Sequence, residues 1–249
     1  VYKRQELVVS EGIGLQVPRG ATLSGLYSNN LIVENRRIGV DFRRSGESFV
    51  FSKLSNNTIA NNTGPAIRHS TIGFASLEIR NNLVSDNYFG ITATNDFTPT
   101  TGNVGFNNVS QNIASDWMNY PPAFGDPTTT NANGTPSDIE FNISVDPMFK
   151  VGTLFEVEDA SLVNDAGTDN GAPVDDYLGR FRDVPFDIGA YEHDFVTNVV
   201  TTLVDENDGG LGVGAGNSLR EVLNATNARP GEDEISFAPN LGGGTIGLS

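Results

Sequence analysis

The chain has 249 residues, with 31 Asp and Glu against 15 Lys and Arg, a formal net charge of -16 and no cysteine. That balance repels nucleic-acid backbones and anionic lipid, so neither is an expected partner, and a disulfide framework is excluded. Hydrophobic residues make up 37% and there are 28 glycines, the composition of a turn-rich globular or solenoid chain; no apolar run reaches the roughly 18 residues of a membrane span.

In chain order, Val1-Tyr2-Lys3-Arg4-Gln5 matches the translated end of a transposon adapter used in sequencing libraries, and residues 1–5 are set apart from fold reasoning. From residue 6 a period governs the sequence. Asn30, Asn57, Asn82 and Asn107 recur at intervals of 27, 25 and 25 residues, and Asn35, Asn62, Asn87 and Asn112 keep the same spacing. Such a repeat marks stacked, similar units. Three residues before the first column stand Tyr27, Leu54, Ile79 and Val104; two after it stand Ile32, Ile59, Val84 and Val109. Both sets are apolar and mostly β-branched or aromatic, in short runs bounded by Asn, Gly and Ser, which predicts strands rather than helical hairpins. The expected fold is therefore all-β, a parallel β-helix (solenoid) over 6–150. Its asparagines are expected to sit at coil corners, adopting left-handed backbone and stacking their amides into ladders.

The repeat is interrupted at 116–138, where Trp117, Met118 and Tyr120 precede a Thr/Asn/Gly-rich stretch. A long loop of this kind either contacts a partner or folds its aromatics over the solenoid core. Beyond it come Asp146-Pro147-Met148-Phe149, Leu162-Val163-Asn164-Asp165-Ala166-Gly167, and Gly179-Arg180-Phe181-Arg182 leading to Asp187-Ile188-Gly189-Ala190-Tyr191-Glu192. These pieces resemble the closing segment of the bacterial choice-of-anchor Q proteins, extracellular right-handed parallel β-helix proteins. The resemblance implies a right-handed coil, an exported protein, and a closing segment over 151–195.

Residues 196–249 start again. Asn217-Ser218-Leu219-Arg220-Glu221-Val222 resembles the CSLREA-type segment that opens many bacterial β-helix domains, with Asn217 in place of its cysteine and Val222 in place of its alanine. Ser218 and Glu221 also form a capping box, which predicts a helix over 218–228 with Leu219, Val222, Leu223 and Thr226 on its apolar stripe. Strands are expected at Ile235–Phe237 and Thr245–Leu248. The helix either caps a second, truncated β-helix module or packs as an ordinary carboxyl-terminal element. Because the chain stops within the later strand, it is expected to be part of a longer protein.

Chemistry-bearing residues are sparse. The acids of the coils, Glu34, Asp41, Glu47, Glu78, Asp86 and Asp96, place no pair in adjacent coils at one column, so no catalytic residue is expected. Asp175 and Asp176 are expected to pin a turn with Arg180 and Arg182. His69 and His193 have no metal-spaced companion, and His69 is expected at a surface or turn. Calcium remains the one ion to weigh, at the acidic, Gly-bearing stretches 205–210 and 165–171, and no cofactor or metal ligand is assigned. The expected role is a non-enzymatic extracellular or cell-surface protein, part of a multi-module adhesin or stalk, with extracellular polysaccharide or a surface protein as partner. The alternative is a polysaccharide lyase or hydrolase.

Overall fold

The computed structural model describes residues 6–8, 13–17, 22–44, 49–69, 76–94, 103–193, 199–208, 214–227 and 235–247. Val1–Gln5, Glu47, Asp96, Gly209, Gly210, Ala228 and Leu248, on which expectations fell, lie outside them. The chain forms two compact units, Val1–Phe195 and Val196–Ser249.

In the first unit the backbone visits three parallel sheets in fixed rotation. One turn consists of β1 (Glu6–Val8), β2 (Ile13–Val17) and β3 (Thr22–Ser28). The next is β4 (Leu31–Val33), β5 (Val40–Arg44) and β6 (Phe49–Ser55), followed by β7 (Thr58–Ala60), β8 (Pro65–His69) and β9 (Ser76–Arg80). A fourth turn is β10 (Leu83–Ser85), β11 (Phe89–Ala93) and β12 (Val104–Gly105), and β13 (Asn108–Ser110) and β14 (Ser115–Met118) begin a fifth. Every strand pairs with those three places away in sequence, giving sheets β1-β4-β7-β10-β13, β2-β5-β8-β11-β14 and β3-β6-β9-β12. The result is an all-β, parallel, solenoid-like fold.

Register explains why the apolar columns were visible in the sequence. Ile32, Ile59, Val84 and Val109 are successive partners in the first sheet. Tyr27, Leu54, Ile79 and Val104 are partners in the third. The second sheet adds a column that the repeat did not reveal, Val40, Ile67, Ile91 and Trp117. The three columns meet in one core in which Ile32, Ile59, Ile67, Ile79, Val84, Ile91 and Val109 have no exposed surface. Each buried aliphatic side chain contributes about 1.5–3 kcal/mol of transfer free energy. Stacking repeats that contribution from coil to coil.

Two corner expectations need correction. Left-handed backbone does not fall on the periodic asparagines. It falls one residue earlier, at Asn29, Asn56, Asn81 and Phe106 (φ 53 to 56°) and at Glu34, Asn61, Asp86 and Gln111 (φ 56 to 59°). The sharp bend and the amide ladder thus occupy adjacent positions. His69 is also not a surface residue: only 3% exposed, it pairs in register between Phe42 and Ala93. Alternation along β8 puts His69 on the same side as Ile67.

The interruption is displaced towards the carboxyl terminus from the expected 116–138, running from residue 119 to 142. Asp116, Trp117 and Met118 still belong to β14, and the coil resumes at Ile143, which bridges to Asn108 in parallel. Between them lies a small hairpin of β15 (Thr129–Thr130) and β16 (Pro136–Ser137).

In the second unit, β17 (Val199–Val200) pairs in parallel with β18 (Ser236–Phe237), and a helix, α1, spans Leu219–Asn227. The capping box forms: the Ser218 N–H donates to Glu221 Oε2 at 3.0 Å, and the Glu221 N–H donates to Ser218 Oγ at 3.1 Å. The buried stripe differs from the expected one. Val222 and Thr226 are buried, Leu223 is exposed, and Glu221 is buried in its place because its carboxylate turns back to cap the helix. Residues 245–247, expected to be in a strand, carry no strand, and Pro239–Leu241 form a 3-10 turn instead.

Candidate functional site

Three arrangements bring polar or aromatic groups together: the ends of the amide ladders, the segment laid along the first sheet, and the aromatic cluster after β14.

The ladders run one way. In the first, Nδ2 of Asn30 donates to Oδ1 of Asn57 at 2.7 Å, Asn57 to Asn82 at 2.9 Å, and Asn82 to Asn107 at 3.0 Å. Asn107 then donates to Asn142 at 3.0 Å, a fifth rung hidden from the sequence period because the inserted loop stretches the interval to 35 residues. The parallel ladder joins Asn35, Asn62, Asn87 and Asn112 at 2.7 to 3.0 Å. Each terminates on an aspartate. Asn112 donates to Asp116 Oδ1 at 2.7 Å, and Asn142 donates to Asp138 Oδ2 at 3.1 Å. A carboxylate only accepts, so it closes a row of donors without needing an acceptor of its own. Asp138, 1% exposed, also accepts from the N–H groups of Gly125, Glu140 and Asn142.

Residues 161–192 form a strap over the outward face of the first sheet. Leu31, Thr58 and Leu83, the first residues of three strands, are each at most 1% exposed, and the strap's Val163, Ile188 and Ala190 pack there. The bend asparagines hold it. Asn29 donates to the Asp175 carbonyl at 2.6 Å, Asn56 to the Asp187 carbonyl at 3.1 Å, and Asn81 to the Thr168 carbonyl at 2.6 Å. Gly189 at φ 118° passes so close that a side-chain carbon there would stand 3.2 Å from Thr58 Oγ1; its neighbour Ala190 donates its N–H to that hydroxyl.

At the centre of the strap, Arg182 is a hub. It pairs with Glu192 at 2.8 Å, both side chains fully buried, and donates to Asn29 Oδ1 and to the carbonyls of Asp175, Gly189, Ala190 and Tyr191. Arg180 grips Asp176 with Nε and Nη2 at 2.9 and 2.6 Å, the expected turn-pinning pair. Burial pushes Glu192 up to about 8 and Asp187 up to about 6, against the opposing pull of Arg182 and of N–H donors. Every carboxylate oxygen is occupied. Asp176 accepts from the N–H groups of Leu178, Arg180 and Glu192, Asp187 from those of Asp165 and His193, and Glu192 from those of Asp183 and Asp187. Asp187 and Glu192 adjoin a cleft of about 250 Å³ shared with Lys150, Glu156, Tyr191 and His193. Asp159 at its margin joins Lys150 at 2.9 Å and His193 at 3.0 Å, and these partners lower its pKa to about 2.

The aromatic rings shield the core as one reading of the interruption expects, whereas Met118 is exposed. Trp117, Tyr120 and Phe124 pack on the core with ring centroids 5.0 to 5.2 Å apart. The Tyr120 hydroxyl meets His69 Nε2 at 2.6 Å, and burial raises its pKa.

Among the described residues no group of three or more His, Cys, Asp or Glu side chains is arranged to hold a metal ion. No helix there is long and apolar enough to cross a membrane. No protein-family model, curated protein or solved structure matches the chain.

Proposed function

We propose that the chain is a stretch of a non-enzymatic extracellular or cell-surface protein of bacterial type, in which a right-handed parallel β-helix serves as a stiff spacer within a longer adhesin or stalk. The choice-of-anchor Q and CSLREA-type resemblances motivate the extracellular setting and the handedness. In the same reading α1 covers the opening turn of a following module. The partner is an extracellular polysaccharide or another surface protein.

The observation that carries the non-enzymatic reading is the saturation of Asp176, Asp187 and Glu192. Each of their six oxygens accepts at least one N–H. A general acid or base needs an oxygen free to exchange a proton with substrate. These groups instead fasten the strap. Incubating the purified protein with acidic and neutral polysaccharides is expected to release no new reducing ends and no unsaturated products. Turnover that disappears in Asp187→Asn or Glu192→Gln, with the fold intact by circular dichroism, would reverse the assignment to an enzyme. Protease shaving of intact producing cells tests the location: release of the protein is expected, and full protection would rule out surface display.

A further inference from the structure

The sequence contains two Asn-Gly steps, Asn133-Gly134 and Asn170-Gly171, and the fold treats them oppositely. In such a step the backbone nitrogen of the glycine can attack the asparagine Cγ. The new N–C bond closes a five-membered succinimide, the C–N bond to the side-chain nitrogen breaks, and that nitrogen leaves as ammonia. Solvent water then opens the ring at either carbonyl, leaving aspartate or isoaspartate. Glycine favours the attack because no Cβ obstructs its nitrogen and its backbone rotates freely. The requirements on the asparagine are a side chain free to turn toward that nitrogen and a glycine N–H not already bound.

Asn133 fails both. Its Nδ2 donates to the carbonyls of Leu162 and Asn164 at 3.1 and 2.7 Å, its Oδ1 accepts the Thr135 N–H at 3.0 Å, and the Gly134 N–H is bound to the Asn131 carbonyl at 2.9 Å. Asn170 meets both. It is exposed, its amide makes no hydrogen bond among the described residues, its backbone N–H is turned to Thr168 Oγ1 at 3.2 Å, and the exposed Gly171 leaves its own N–H unbound among those residues. Gly171 lies at φ 77°, and a side-chain carbon there would stand 3.0 Å from Lys53 Nζ and 4.0 Å from Glu78 Oε2, two atoms that form an ion pair at 2.9 Å.

We propose that Asn170 is a site of spontaneous deamidation that adds one negative charge to the strap beside the Lys53–Glu78 ion pair, while the identical dipeptide at Asn133 is protected by the fold. The product remains docked, since none of the bonds joining strap to solenoid involves the Asn170 side chain.

Incubation of the full chain at mildly alkaline pH, followed by peptide mapping, tests this. The Asn170 peptide is expected to gain about 1 Da and to split into aspartyl and isoaspartyl forms at least about tenfold faster than the Asn133 peptide, because the latter must first break its hydrogen bonds. In denaturant the two rates are expected to converge. Asn170→Gln is expected to remove the signal without altering the circular dichroism spectrum. Equal rates in the folded protein, faster change at Asn133, or an Asn170 peptide that stays unmodified while the denatured chain reacts would each overturn the proposal.

Discussion

At the scale of single residues, ladder asparagines and bend asparagines do different work. Asn82 is buried within the ladder, and its Oδ1 receives both the backbone N–H and the Nδ2 of Asn57 at 3.1 and 2.9 Å. Asn61 is exposed and supplies a bend at φ 56°. Removing the Asn82 amide leaves the Asn57 backbone N–H without its acceptor and takes the Nδ2 donor from the Leu54 and Arg80 carbonyls, at about 1–3 kcal/mol for each buried group left unpaired. Asn82→Ala is therefore expected to destabilise the first unit by roughly 2–5 kcal/mol in urea titrations, whereas Asn61→Gly stays within about 0.5 kcal/mol because glycine adopts the same bend without strain. Asp138→Asn should cost about 2 kcal/mol: an amide there turns an NH2 toward groups that are themselves donors. The periodic asparagines and their ladders were legible because identical side chains recur at a fixed interval. Asn142, Asp138 and Asp116 were not, since the inserted loop takes the first out of step and the others differ in identity from the rungs they close.

Among elements, the strap is the piece whose role sequence alone did not disclose. Its motifs stood out as fragments, but a contact such as Arg182 to Asn29 spans 153 residues and follows no period. Replacing Arg182 by Met is expected to leave Asn29 Oδ1 and the carbonyls of Asp175, Gly189, Ala190 and Tyr191 without its donors, at about 1–3 kcal/mol for each buried group left unpaired. The pH response should be opposite to ordinary acid unfolding for Glu192 and Asp187. Glu192 is raised from 4.5 to about 8 and Asp187 from 3.8 to about 6. Their folded forms hold protons more tightly than the unfolded chain does. The stability they contribute is present below the unfolded values and declines as pH rises through about 6 and about 8. Melts of wild type from about pH 5 to about pH 9 should show this decline, and Glu192→Gln should flatten its upper part. A steeper fall in the variant would contradict the assignment. His69 was misplaced for a related reason. Alternation along β8 alone puts it inward, but the Tyr120 hydroxyl that makes an inward imidazole tolerable arrives from 51 residues away. Tyr120→Phe should therefore lower stability by about 1–3 kcal/mol.

For the molecule as a whole, the net charge of -16 sets solution behaviour more than architecture. Self-repulsion among surface carboxylates is screened by salt, so melting temperature is expected to rise between about 10 mM and about 500 mM sodium chloride; an unchanged value would mean local pairs already balance the field. Strand class, stacking and core columns could be read from one sequence because a solenoid repeats its own instructions. Chemistry could not, since the charged groups of the strap are brought together by contacts that follow no period, and among the described residues no group of three or more His, Cys, Asp or Glu is arranged to hold a metal ion.

The strap grips Asn81, Asn56 and Asn29, corners of three consecutive turns, through peptide groups at fixed places in its own chain. It works as a gauge. A relative that lost or gained a turn between Asn29 and Asn81 would leave those clasps misaligned by one strand spacing, about 4.8 Å, even with both amide rows intact. Lengthening by duplication is thus confined to turns beyond the clasped stretch, and the natural unit of growth is a complete circuit of three strands.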